Sequence, residues 1–170
     1  GIPFVVSTQG TYGVLPFLRL IDRWWYRPAM EAAAKITAPS QFSADAALWA
    51  SGLKRPVSVI HNAVNYQRFQ QGATPDSTRT RYGVPTDARV ILGVGSLKLR
   101  KGFDVLLRAF ARVLSEDPRA YLLIAGEGSD RKSLQALAVS LGIAPRVQLL
   151  GTVEGSLLVD LYYLCEVYAH

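Results

Sequence analysis

The stretch from Arg89 to Gly128, RVILGVGSLKLRKGFDVLLRAFARVLSEDPRAYLLIAGEG, decides how this chain folds. It opens on an apolar run, Val90 to Val94, with the length and composition of a buried parallel strand. A glycine turn, Gly93-Val94-Gly95-Ser96, passes into a basic loop, Lys98-Leu99-Arg100-Lys101-Gly102. Phe103, Leu106, Leu107, Phe110, Val113 and Leu114 then recur three or four apart, as on one face of a helix. Asp117-Pro118 stops that helix, and Tyr121 to Ala125 is a second apolar strand running into Gly126-Glu127-Gly128. Strand, glycine turn, helix and strand make a βαβ unit. Both glycine loops fall at the carboxyl ends of its strands, where open α/β sheets bind their ligands.

The first loop is not a dinucleotide fingerprint. Gly93-x-Gly95 lacks the third glycine at its fixed offset, and no Walker lysine follows a run of four variable residues. It does offer main-chain N–H groups ahead of a helix, with Lys98, Arg100 and Lys101 packed into four positions. That combination suits a phosphorylated ligand. The same charges also fit a solvated basic turn, and charge alone leaves both readings open.

Several blocks in order, VILGVGSLKLRKGFDVLLRAFARVL, AYLLIAGEGSDRKSLQALAVSLGIAPRVQLLGTV and LLVDLYYLCEVYAH, resemble the nucleotide-sugar-binding half of the retaining GT-B glycosyltransferases of group 1, also called family 4. The resemblance implies that Lys101, followed by Gly102, binds the donor's diphosphate. It implies that the turn Gly93 to Gly95 lets phosphates approach the backbone, and that Gly126 and Gly128 line the same cleft. The run Arg146 to Gly151, with Val147 and Leu149, resembles the stretch whose main chain receives the nucleobase. Ser96 stands where many members carry an arginine; Arg100, four residues on, is placed to take over part of that charge. The implied fold is α/β and GT-B-like, with two Rossmann-type parallel-sheet domains, both incomplete here. Residues 1–70 are expected to be the C-terminal part of the acceptor-side domain, 71–86 a polar interdomain linker, and 87–170 the first half of the nucleotide-sugar domain.

The resemblance extends upstream with less specificity. Ile2 to Thr8 reads as a short buried strand, and in the family such a strand leads into His-Gly, whereas this chain has Gln9-Gly10 followed by Thr11. Glutamine can hydrogen-bond a sugar hydroxyl but cannot titrate, so a histidine-like acid–base role does not carry over to Gln9. Gly10 keeps the close backbone approach, and Gly10 and Thr11 are placed on the acceptor side. Leu15 to Tyr26 mixes apolar and aromatic residues with Arg19, Asp22 and Arg23. Packing against the sheet or a partner helix is the plainer reading, and peripheral contact with an anionic membrane is the other. Pro28 to Ala34 is expected to be helical with Pro28 in the first turn. Ile36 to Ser40 is a brief strand, and Ser40 and Ser43 are the N-terminal capping candidates of the helix that follows and closes at Gly52. Val57 to Phe69 resembles the family's exit from the first domain, with Ala63 and Asn65 in place of glycine and aspartate. His61 stands alone at a strand end, which favours a structural or solvated role.

Composition sets the outer limits. The chain has 170 residues, is 49% hydrophobic and 19% charged, and carries a net charge of +6, which fits a packed globular protein rather than disorder. Its positive charge is scattered and no nucleic-acid motif appears, so nucleic acid is not expected as a partner. The single cysteine, Cys165, excludes a disulfide frame and reads as a small buried hydrophobe. No cluster of His, Cys or acidic residues has ligand spacing, so neither a metal nor another cofactor is expected. By resemblance, the partners are a nucleotide-diphosphate sugar donor and a sugar, lipid-linked sugar or small-molecule acceptor. The reaction is transfer to an acceptor hydroxyl with retention, in the cytoplasm or peripherally at the inner membrane face. A same-fold epimerase or phosphorylase and a non-catalytic nucleotide-sugar-binding module remain alternatives. The chain is expected to be an interior fragment, inactive alone: in the family, the strand beginning at Val167 leads to a Pro-Ser turn and a Glu-x7-Glu segment that holds the donor's sugar and ribose.

Overall fold

The computed structural model describes residues 2–9, 20–70, 72, 74–153 and 155–170, with the side chains of all of these except 20–23. The chain divides into two compact units, Gly1–Val64 and Asn65–His170. The first holds β1 (Val5–Ser7), α1 (Leu20–Ala32), β2 (Lys35–Ala38), α2 (Gln41–Ser51) and β3 (Val57–Val59), with the strands parallel in the order β1-β2-β3. Ile36 is buried on β2 and meets Met30, Ala33 and Leu53 in a small core. Arg55 ties the end of α1 to this core: its guanidinium donates to the carbonyls of Met30 at 3.0 Å, Glu31 at 2.6 Å and Ala33 at 2.9 Å. Those carbonyls lack partners inside the helix, so a cation there satisfies them and opposes the helix dipole.

Ser40 and Gly52 bound α2 as the sequence indicates. The Ser40 hydroxyl accepts the Ser43 N–H at 3.1 Å, and Gly52 takes the left-handed conformation at φ 67° with its N–H on the Leu48 carbonyl. Ser40→Ala is expected to cost about 1 kcal/mol of stability through the lost cap, with donor affinity of the intact protein unchanged. Denaturant unfolding and a donor titration measure the two effects separately; a loss of affinity without a loss of stability would make Ser40 a binding residue.

Two expectations need correction in this unit. The first strand is shorter than Ile2 to Thr8 and is not buried: Val5 is 61% exposed, because β1 pairs on one side only and just Val6 turns toward the core. Pro28 lies well inside α1 rather than in its first turn. Its ring removes one helix hydrogen bond, but it sits on an exposed position while Met30 supplies the buried contact. Gly10, Thr11 and residues 15–19 of the Leu15–Tyr26 segment lie outside the described residues.

The second unit runs α3 (Pro75–Tyr82), β4 (Arg89–Val94), α4 (Phe103–Glu116), β5 (Ala120–Ala125), α5 (Arg131–Ser140), β6 (Val147–Gly151), α6 (Ser156–Leu164) and β7 (Val167–Ala169). Its four strands are parallel in the order β6-β5-β4-β7. β5 is buried throughout and alternates between two cores. Leu122 and Ile124 meet Phe103, Leu107 and Phe110 of α4 and Leu134 and Ala138 of α5. Tyr121, Leu123 and Ala125 meet Val84 together with Leu161 and Leu164 of α6. Helices on both faces of a parallel sheet explain why its central strand reads as an uninterrupted apolar run.

Residues 71–86, expected from their polarity to be a linker, instead contribute α3 to this unit, and the chain divides before them, at Asn65. Thr78 is buried, Val84 and Ala88 lie in the core, and Arg79 donates to the carbonyls of Pro85 at 2.8 Å and Ala88 at 2.9 Å. The sequence was too polar to show this because α3 offers the core a single buried side chain.

Candidate functional site

The carboxyl ends of β4, β5 and β6 open to the same side, and main-chain hydrogen bonds lace their loops together. Gly95 donates to the Ala125 carbonyl at 3.0 Å, Leu97 to that of Glu127 at 2.9 Å, Asp130 to that of Leu97 at 3.1 Å, and Gly126 to that of Gly151 at 2.7 Å. Such close approach needs glycine. A Cβ on Gly126 would overlap the Gly95 carbonyl oxygen, and one on Gly128 would overlap the Leu97 carbonyl oxygen. Gly93 serves helix packing instead: a Cβ there would lie 3.0 Å from Phe103 Cε1 and 3.2 Å from Leu106 Cδ2.

The basic loop makes one turn of 3-10 helix, Leu99–Lys101, and Gly102 in the left-handed conformation at φ 67° redirects the chain into α4. This turn sorts the three cations. Lys98 and Arg100 are exposed, whereas Lys101 is half-buried. The Lys101 stem lies over Gly95, with Cδ and Cε each 3.8 Å from where a Cβ on that glycine would stand. None of the three cations is paired with a carboxylate among the described residues. A half-buried ammonium with no carboxylate partner among the described residues, beside bare main chain, has the chemistry that suits an anion. Arg100, Lys101, Gly102, Ala169 and His170 line an open depression of about 610 Å3 at this end of β4 and β7.

The remaining expected positions separate. Ser96, half-buried, lies in the same turn as Gly95, and its carbonyl accepts the Lys98 N–H at 2.8 Å. Val147 and Leu149 pack their side chains against the core, so β6 has main chain rather than side chains to offer a ligand. Gln9 stands in the first unit just beyond β1, exposed, its amide donating to the Ser7 hydroxyl at 3.0 Å. Cys165 is half-buried, and burial pushes its thiol up, away from the nucleophilic thiolate. His61 is exposed, with Nδ1 3.1 Å from the Pro39 carbonyl oxygen.

Three site residues escaped the sequence. His170 joins Lys101 on the depression, with Nδ1 3.1 Å from the Tyr168 hydroxyl. Glu127 and Arg131 form an ion pair at 2.9 Å beside the end of β6. The i,i+4 spacing of Glu127 and Arg131 was visible, but an exposed pair at that spacing is too common to single out, and Glu127 lies in the loop before the helix. Among the described residues, no group of three or more His, Cys, Asp or Glu could hold a metal ion, and no helix is long and apolar enough to cross a membrane.

Two parallel-sheet units, the second with glycine loops at its strand ends, are Rossmann-type architecture, and the solved structures they resemble are GT-B glycosyltransferases. The chain is similar over 99% of its length to the Anabaena protein Alr3699/HepE crystallised with UDP and glucose, with a TM-score of 0.82 at 21% identity, and covers 46% of that structure. Residues 76–170 match the family described as glycosyl transferases group 1, and residues 1–68 match glycosyltransferase family 4. This chain belongs to the group 1 glycosyltransferases. It is 37% identical over 114 residues to an uncharacterized glycosyltransferase, MJ1607, of Methanocaldococcus jannaschii, a match spanning 65% of this chain and 29% of that protein. It is 42% identical over 102 residues to the D-inositol 3-phosphate glycosyltransferase of Thermobispora bispora, spanning 55% of this chain and 24% of that protein. The chain thus spans less than a third of the curated relatives it matches.

Proposed function

We propose that the intact protein transfers a glycosyl group from a nucleoside-diphosphate sugar to an acceptor hydroxyl with retention of configuration. The observation that carries this is the half-buried, unpaired Lys101 ammonium over Gly95. In the transfer, the bond from the anomeric carbon to the diphosphate oxygen breaks, the acceptor oxygen bonds to the same face, and its proton passes to the departing diphosphate. Lys101, helped by Arg100 and the N–H groups near Ser96, stabilises the charge that grows on the leaving group. Gly95, Gly102, Gly126 and Gly128 keep that wall free of side chains, and the β6 main chain at Val147 and Leu149 receives the base. Gln9, with Gly10 and Thr11, orients the acceptor hydroxyl. UDP with glucose in a protein of the same fold and an inositol-phosphate-directed relative support this donor class and a sugar or small-molecule acceptor. The cations and main chain stand in for a metal, so activity is expected to survive EDTA.

The test is incubation of the intact protein with labelled nucleotide sugars and candidate acceptors, with the product anomer read by NMR. Donor hydrolysis without transfer, epimerisation, or tight binding without turnover would each overturn it. The last two outcomes are the epimerase and binding-module alternatives, of which the non-titrating Gln9 favours the binding module. A free thiol and a nucleotide donor agree with action in the cytoplasm. Trp24 and Trp25, 83% and 78% exposed on α1, are the anchors we assign to a peripheral membrane contact. Sedimentation with anionic vesicles that Trp24→Ala/Trp25→Ala fails to abolish would rule that contact out.

A further inference from the structure

The end of β6 is the one place where the parallel ladder of the second unit loses its register. Ile124 pairs with Leu149, but Ala125 pairs with Gly151, so Leu150 is skipped. Gly151 has φ 79°, a left-handed value that a regular strand does not reach. Main chain released from a ladder needs another constraint to keep one position. The Gly126 N–H holds the Gly151 carbonyl at 2.7 Å, and Arg131 adds a second hold: Nη2 donates to the Leu149 carbonyl at 2.8 Å while Nη1 donates to Glu127 Oε1 at 2.9 Å. The Glu127 carboxylate in turn reaches within 3.0 Å of where a Cβ on Gly151 would stand. One planar guanidinium therefore locks the loop after β5, the first turn of α5 and the irregular end of β6 to each other.

We propose that Arg131 is a positioning residue that sets the β6 main chain for the base of a nucleoside diphosphate. The inference rests on the nucleotide-sugar function proposed above and adds a residue to it. β6 is an edge strand of the described sheet, so its outer N–H and C=O groups are open to a planar ligand with donors and acceptors on its rim. From Lys101 at the end of β4 to β6 is two strand spacings, about 10 Å. That is about the reach from the phosphates to the base of an extended nucleoside diphosphate. Between them, Gly95 carries no side chain, and a Cβ there would meet only Phe103 and the Lys101 stem at ordinary contact distance. Arg131 does not touch the base; it fixes the strand that does. Lysine has the charge but not the fork, and cannot hold Leu149 and Glu127 in one plane.

Calorimetric titration of the intact protein with UDP, ADP, GDP and inorganic pyrophosphate separates positioning of the base from phosphate binding and from general stability. Wild type is expected to bind at least one nucleoside diphosphate more tightly than pyrophosphate. Arg131→Ala should weaken that nucleotide about tenfold, and Arg131→Lys by a similar factor, since both lose a two-point hold. Pyrophosphate affinity should stay within about twofold in both, because Lys101 is untouched. If Arg131→Ala does not fold, Arg131→Lys decides by the same comparison. Equal losses for nucleotide and pyrophosphate, or no loss for either in a folded variant, overturn the inference while leaving the nucleotide-sugar function standing. Failure of wild type to bind any of the three nucleotides overturns both.

Discussion

Lys101→Ala in the intact protein is expected to lower kcat by about 10²–10³, roughly 2.7–4 kcal/mol, the cost of removing one preorganised donor from a developing charge. Negative charge on the diphosphate is greater in the transition state than in the bound donor, so KM should move less than kcat. The structure sharpens the comparison with its neighbours. Lys98 is exposed, and Lys98→Ala should cost less than about tenfold because water and salt screen it. Arg100 is also exposed but lines the depression with Lys101, so Arg100→Ala should fall between the two. A steady-state comparison of the three variants checks the ordering. If Lys101→Ala and Lys98→Ala behave alike, the phosphate assignment is wrong and the loop is only a solvated basic turn.

Gly126→Ala is expected to be the most damaging methyl group that can be added to the second unit. It would stand on the Gly95 carbonyl, which is main chain and cannot rotate away. Relief requires parting the β4 and β5 loops, with the Gly95–Ala125 and Gly126–Gly151 hydrogen bonds lost or lengthened. Overpacking together with those bonds puts the cost at about 3–5 kcal/mol. Gly142→Ala is the control: its φ of 71° is also positive, against 150° at Gly126, but nothing lies within 4 Å of the added carbon. It should cost about 1 kcal/mol, the penalty for a left-handed alanine alone. Urea unfolding of the two variants measures the difference, and comparable midpoints would mean that the loops are not locked by this contact.

The candidate site was legible in the sequence to different depths. Its place was clear, because a strand, a glycine turn and an amphipathic helix leave only one sheet edge for the loops. The charge of the three cations of the basic loop was legible only as a group, and the family resemblance alone singled out Lys101. Spacing along a loop says nothing about which stem lies on the main chain and which points to water. The Gly126-x-Gly128 signal was read as lining a cleft, while in the fold each glycine first makes room for a carbonyl of the neighbouring loop. His170 and the Glu127–Arg131 pair could not be singled out as site residues, since what they meet at the site, the Lys101 turn after β4 and the end of β6, belongs to other strands.

By itself, the sequence determined the periodic elements of the second unit, its α/β class and the family. Apolar runs and three-to-four spacing are local properties that sheet burial only reinforces. It also determined the ends of α2, because a capping serine and a left-handed glycine act within one turn. Tertiary structure alone decided that residues 75–82 form a helix of the second unit rather than a linker, since one buried threonine and two core contacts beyond it outweigh a polar composition. It alone decided that Lys101, and not Lys98 or Arg100, is held half-buried over Gly95. That choice depends on the turn of the backbone at Gly102 and on how closely three strand ends approach, and neither is written in the order of the residues.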